Sequence, residues 1–159
     1  TSGKGLPLSI HQKENWFKII FVDVGLMQCM LGVSKQLYAS KNLLSILRGA
    51  VAEQFAGQQL LAQHDWFKMP ELYYWHRQKT NSQAEVDYVC QSRDQVIPIE
   101  VKSGKSGTLK SLFLFMKENG APFGIRLSLN PLEFKDNLLS IPLWGIESFY
   151  DRLEHVRSD

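Results

Sequence analysis

The chain is short of most features that would place it quickly. It holds two cysteines in 159 residues, too few for a disulfide framework. Cys29 and Cys90 lie far apart inside apolar runs, which reads as two buried free thiols in a reducing setting. The histidines His11, His64, His76 and His155 have no mutual metal-ligand spacing and no Ser or Cys nucleophile beside them, so they read as structural residues. No apolar run approaches the about 18 residues of a membrane span, and no basic-then-apolar leader opens the chain, so the expected compartment is the cytoplasm. A formal net charge of +2 is too small to argue for nucleic acid by itself, and any anion-binding patch has to be local. Gly3-Lys4-Gly5 lacks the further glycine and the Ser or Thr of a phosphate loop. There is no internal repeat and no low-complexity segment. The chain opens on Thr1 instead of Met, which reads as a fragment whose upstream region is missing.

What is present is ordinary for a globular domain: 44% hydrophobic and 21% charged residues, with a length that suits one core. The stretch to about Gln12 reads as an entry loop. Phe17–Val22 is β-branched and aromatic, so a short strand is expected, and Asp23 can cap a helix from Val24 to Leu31 that Gly32 stops. Together, residues 1–42 form a lead-in unit packed on a core of residues 43–159. After a turn at Ala39–Asn42, Leu43 to Gln63 carries Leu43, Leu44, Leu47, Val51 and Phe55 at helical spacing with no proline, and predicts a long helix. Strands are predicted over 72–77, 85–91 and 96–102, with turns near Asn81-Ser82 and at Ser92–Gln95. A helix over 108–117 capped by Thr108 and ended by Asn119-Gly120 follows, then strands over 123–129 and 138–142, and a helix over 146–155. The order αβββαβ, after a lead-in strand and helix, is a mixed α/β core with one sheet flanked by helices.

Chemistry concentrates on the central hairpin. Residues two apart on a strand share a face, so Glu100 and Lys102 point one way while Ile99 and Val101 point into the core. In the preceding strand Val86, Tyr88 and Cys90 are expected on the apolar face, leaving Asp87 opposite with Glu85 and Val89. Pairing through the Arg93-Asp94 turn then brings Asp87 beside Glu100. Two adjacent carboxylates repel, and an oxygen-seeking Mg²⁺ or Mn²⁺ relieves that repulsion while taking its remaining ligands from water and phosphate. With Lys102 beside them, this is a layout for phosphodiester hydrolysis. On the long helix, Glu53 shares a face with Ile46, Gly49, Ala56, Gly57 and Leu60. A solvated sheet face with a cross-strand Lys–Glu pair, and a helix-surface salt bridge for Glu53, explain the same residues without chemistry.

The succession Glu53, Tyr73-Tyr-Trp75-His, Ala84-Glu-Val-Asp87-Tyr and Ile97-Pro-Ile-Glu-Val-Lys-Ser-Gly104, with the earlier Lys18-Ile-Ile-Phe-Val-Asp-Val-Gly-Leu26, resembles a domain of unknown function. That domain follows the AAA-type ATPase module in a large family of bacterial and archaeal proteins. The resemblance runs from about Gly5 to the last helix. It implies a restriction-endonuclease-like, PD-(D/E)xK nuclease-like core, with Asp87, Glu100 and Lys102 as signature residues and Glu53 as the helix acid. It also implies the carbonyl of Val101 as a further metal ligand and an upstream ATPase domain. His76 stands where Arg is expected after the tryptophan, with Arg77 next.

Lys102, Lys105, Lys110 and Lys117 follow the hairpin with no acid among them, and Lys105 and Lys110 are candidates for docking backbone phosphates. No groove-reading motif is present, and Tyr73, Tyr74 and Trp75 read as strand core more readily than as a base-stacking platform. Three functions stay open: a Mg²⁺-dependent nuclease acting on DNA or RNA, a non-catalytic accessory module binding nucleic acid or protein for an ATPase, and a docking domain for ATPase assembly. Adjacent carboxylates favour the first, because binding a polyanion does not call for them.

Overall fold

The computed structural model describes residues 7–13, 15–32, 41–67, 69–77, 83–104 and 106–155, without the side chains of residues 11, 41–47, 154 and 155. A 3₁₀ turn at Leu8–His11 comes first, followed by helices α1 (Val24–Met30) and α2 (Lys41–Ala62). Strands β1 (Tyr73–His76), β2 (Glu85–Ser92) and β3 (Gln95–Val101) precede helix α3 (Lys110–Asn119). Strands β4 (Gly124–Ser128), β5 (Glu133–Lys135) and β6 (Leu138–Pro142), a 3₁₀ stretch at Leu143–Ser148 and helix α4 (Phe149–His155) complete the order. The αβββαβ succession is therefore present as α2 to β4, followed by a further hairpin and helix.

The strands form one six-stranded mixed sheet in the order β1-β2-β3-β4-β6-β5. β1, β2 and β3 pair antiparallel, whereas β3–β4 and β4–β6 are parallel. The β2–β3 turn is two residues long, with Arg93 at φ 56°, the left-handed conformation that tight hairpins require. One core cluster joins Ala52, Ala56 and Leu60 of α2 to Tyr88, Ile97, Ile99, Ile125 and Ile141 of the sheet. A second joins Leu112 and Phe115 of α3 to Trp75, Val86, Val89 and Val96. The two helices thus cover different sets of sheet residues.

Several expectations are corrected. Phe17–Val22 is not a strand. It runs along α2, which has no free backbone to offer, and side chains replace the missing ladder: Gln54 Nε2 donates to the Ile19 carbonyl (2.8 Å), its Oε1 accepts from the Phe21 N–H (3.0 Å), and Gln58 donates to the Val22 carbonyl. Asp23 does cap α1, accepting from the Leu26 N–H at 2.6 Å, and Gly32 ends it at φ 65°. Thr108 does not cap α3, whose N-cap is Leu109 without a side-chain hydrogen bond. Gly120, at φ 67°, closes that helix as expected.

On α2 the buried stripe is Ala52, Ala56 and Leu60, while Val51 and Phe55 are only half-buried. Small residues face the sheet because the helix lies close to it. The side chains of Leu43, Leu44, Leu47 and Ile46 lie outside the described residues, as do Ala39, Ser40, Asn81 and Ser82. Cys90 is buried, but Cys29 is exposed on α1, so only one of the two thiols belongs to the core. Strand β5 is an addition to the predicted strands, joined to β6 through Asp136 and Asn137, both at positive φ, which are residues suited to a tight hairpin turn. The last helix begins at Phe149, after a 3₁₀ stretch. Among the described residues no helix is long and apolar enough to cross a membrane.

Candidate functional site

β2 changes register between its neighbours, and this sets the site. Against β1 it pairs as Tyr73↔Val89 but Trp75↔Val86, a β-bulge at Asp87 and Tyr88 opposite Tyr74. Val86 and Val89 therefore both join the α3 side of the core, whereas Tyr88 and Cys90 join the α2 side. Simple alternation had separated Asp87 from Tyr88 and grouped it with Val89. In the structure Tyr88 Oη donates to the Glu53 carbonyl of α2 (2.8 Å), and the Asp87 carboxylate lies close enough to Glu53 for their charges to interact.

The last ladder pair of β2 and β3 is Tyr88↔Ile99. One step beyond it, Asp87 and Glu100 face each other where the ladder opens, and the Asp87 side chain closes the gap: Oδ2 accepts from the Val101 N–H at 2.7 Å. Lys102 Nζ donates to Glu100 Oε1 at 2.6 Å, as expected for residues sharing a strand face. Glu100 is only 7% exposed, and its Oε2 is buried without a hydrogen-bond partner. The parallel register sets Arg126 of β4 beside Glu100.

The electrostatics follow from this crowding. Burial and the charge of Glu100 push the Asp87 carboxyl up to about 7, against the opposing pull of the Val101 N–H and Lys18. Burial also raises Glu100, with Lys102 resisting. A carboxyl pair pushed up in this way, with one oxygen left unpaired, suits a divalent cation, and Mg²⁺ ordinarily takes one or two carboxylates and fills its remaining positions with water. Asp87 and Glu100, with the Val101 carbonyl between Glu100 and Lys102, are the oxygen groups here that could hold one. Among the described residues no group of three or more His, Cys, Asp or Glu side chains is arranged to hold a metal.

Glu53 is brought to this corner, but its carboxylate meets Lys18, the first residue of the Lys18–Leu26 segment. Lys18 Nζ lies 2.7 Å from Glu53 Oε1, 2.8 Å from Glu85 Oε1 and 3.2 Å from the Asp87 carbonyl oxygen. It also stands over the rings of Tyr74 and Tyr88, at 5.2 Å and 5.5 Å from their centroids. Burial draws its pKa down, yet the hydrogen bonds and charges of Glu53 and Glu85 outweigh that and hold it above its ordinary value. Lys18 lies five positions before Asp23, the cap of α1, and no spacing in the sequence marks it for such a role.

Lys110 is exposed at the first position of α3, and Lys105 lies outside the described residues. His76 is half-buried beneath the Trp16 ring, with centroids 5.4 Å apart. Next to it, Arg77 Nη2 donates to Glu118 of α3 at 2.6 Å. His64 lies against Tyr150. Of the three neighbouring aromatics, Trp75 is core, whereas Tyr73 and Tyr74 are half-buried.

No curated protein and no solved structure matches the chain. A family model described as a domain of unknown function, DUF4143, matches residues 48–145, which is more than half of the chain and includes Glu53, Asp87, Glu100 and Lys102. The chain belongs to this DUF4143 family.

Proposed function

We propose that the protein is a metal-dependent nuclease-like domain of the PD-(D/E)xK type, hydrolysing phosphodiester bonds of DNA or RNA as the C-terminal module of an AAA-type ATPase. The observation that carries this reading is the Asp87–Glu100 pair: two carboxylates at the open end of the β2–β3 ladder, both pushed up by burial, with Lys102 on one of them. The element order α2-β1-β2-β3-α3-β4 and the α2 acid Glu53 support it.

In this reading Asp87, Glu100 and the Val101 carbonyl would hold Mg²⁺ or Mn²⁺, which would supply Lewis acidity and a lowered pKa for bound water. The chain's own residues do the rest. Asp87 is fixed by the Val101 N–H, so its free oxygen is presented in one orientation. Lys102 orients the attacking water and stabilises charge developing on the phosphate. Glu53 stands at the edge of the site, and Lys105 and Lys110 meet flanking phosphates.

Calorimetric titration of Mn²⁺ into wild type and Glu100→Ala tests the reading. Binding by the wild type and its loss in the variant are expected, as is cleavage of linear, nicked or branched substrates that Lys102→Ala abolishes. Equal binding by both proteins, or binding by neither even with nucleic acid present, removes hydrolysis. A second reading, a non-catalytic module binding nucleic acid or protein for the ATPase, is favoured by one observation. Lys18 and Lys102 already supply cations to Glu53 and Glu100, so the corner is partly neutralised without a metal.

A further inference from the structure

Lys18 also lines a cavity of about 240 Å³, whose wall includes Trp16, Phe17, Tyr73, Tyr74 and Tyr88. We propose that this cavity binds one unstacked nucleobase of a single-stranded nucleic acid, beside the phosphodiester presented to Asp87 and Glu100. The proposal rests on the reading of the protein as one that handles nucleic acid, and it identifies the form of the substrate.

Three features point to that occupant. The volume lies below the roughly 300–1,000 Å³ of pockets for drug-sized ligands, so it suits one flat ring system. The lining is aromatic and open: Phe17 is 74% exposed and Trp16 47% exposed, and base stacking on such faces is tolerant of sequence. Finally, the cation–π positions over Tyr74 and Tyr88 are already taken by Lys18, so a second cation is repelled, whereas a neutral ring meets no such repulsion. Glu71, which accepts from Tyr73 Oη at 2.9 Å, gives the mouth a polar edge.

Lys18 ties this cavity to the acids, since the residue lines the cavity and its ammonium donates to the Asp87 carbonyl at 3.2 Å. A strand whose phosphate sits at Asp87 and Glu100 therefore carries a neighbouring base to the aromatic wall. The bulge at Asp87 and Tyr88 makes this possible by turning two consecutive residues of β2 toward the same region, one to each site.

Fluorescence anisotropy with a short labelled oligothymidylate in EDTA tests this, with oligouridylate as a second arm to separate DNA from RNA. Tyr74→Ala is expected to weaken binding about fivefold to one-hundredfold, as for loss of one base–aromatic stack, while Tyr74→Phe keeps wild-type affinity. Oligonucleotides with abasic positions lose affinity for the wild type but little for Tyr74→Ala, and the wild-type half of that comparison needs no variant to fold. Unchanged affinity in Tyr74→Ala, an equal abasic loss in both proteins, or no binding of single strands overturns the proposal. If Mn²⁺ supports no cleavage while the base dependence holds, hydrolysis falls and the base site stands. If cleavage occurs without any base dependence, the base site falls and hydrolysis stands.

Discussion

Lys18 and Glu53, 35 residues apart, meet at 2.7 Å and join the entry segment to the helix that covers the sheet. The same ammonium reaches Glu85 and the backbone of Asp87, so a residue outside the segment matched by the family model completes the charge balance of the site. Substituting Lys18→Met leaves Glu53 and Glu85 unpaired and takes from Asp87 a charge that holds its pKa down. The Asp87 carboxyl should then titrate higher by NMR, with a stability loss of roughly 1–2 kcal/mol in urea unfolding, modest because both acids are partly solvated. An Asp87 titration that does not move contradicts the assignment.

Asp87 makes stability depend on pH in the direction opposite to a salt-bridged acid. Its carboxyl is raised from 3.8 to about 7 in the folded protein, so between those values the folded state holds a proton that the unfolded chain releases. Stability from this group is therefore full below about 4 and is lost as pH rises through about 7. Asp87→Asn, which can still accept from the Val101 N–H, should be more stable than wild type at pH 8 by a few kcal/mol, on the order set by the shift, and nearly equal to it at pH 4. Thermal unfolding across that range provides the check; parallel curves for the two proteins contradict it.

Gly57 of α2 lies directly against the Tyr88 side chain of β2. A Cβ there would lie 2.5 Å from Tyr88 Oη and 2.9 Å from Ile20 Cδ1, whereas one at Gly49 meets nothing within 4 Å. Alanine gains about 0.8–1.0 kcal/mol of helix propensity at either position, but at Gly57 overpacking costs about 1–3 kcal/mol. Gly49→Ala should raise stability and Gly57→Ala lower it in denaturant titrations; a shift of the same sign in both shows that Tyr88 does not pack against the helix as described.

Gln54 stands in for a neighbouring strand. Gln54→Ala removes the acceptor of the Phe21 N–H and the donor to the Ile19 carbonyl, at about 1–2 kcal/mol for two neutral, partly exposed bonds. The loss should be local: faster hydrogen exchange at the Phe21 amide, with the amides of β3 unaffected. If Phe21 retains its protection, the segment is held by other contacts.

The amino-acid order by itself determined the parts whose physics is local. The period-2 run through Ile97 to Lys102 specified a strand with Glu100 and Lys102 on one face, Asp23 and Gly32 bounded α1, and the proline-free apolar spacing specified α2. From these the carboxylate pair and its lysine were legible, since a two-residue turn at Arg93-Asp94 sets the hairpin register. Only the tertiary structure decided what that pair faces. The bulge at Asp87 and Tyr88 arises from how β1 pairs with β2, so no spacing within β2 announces it, and it sets Asp87 alongside Tyr88 instead of on the opposite face. Lys18 belongs to the site because Gln54 and Gln58 hold an irregular segment against the helix, an arrangement of side-chain bonds between residues some 35 positions apart with no periodicity to betray it.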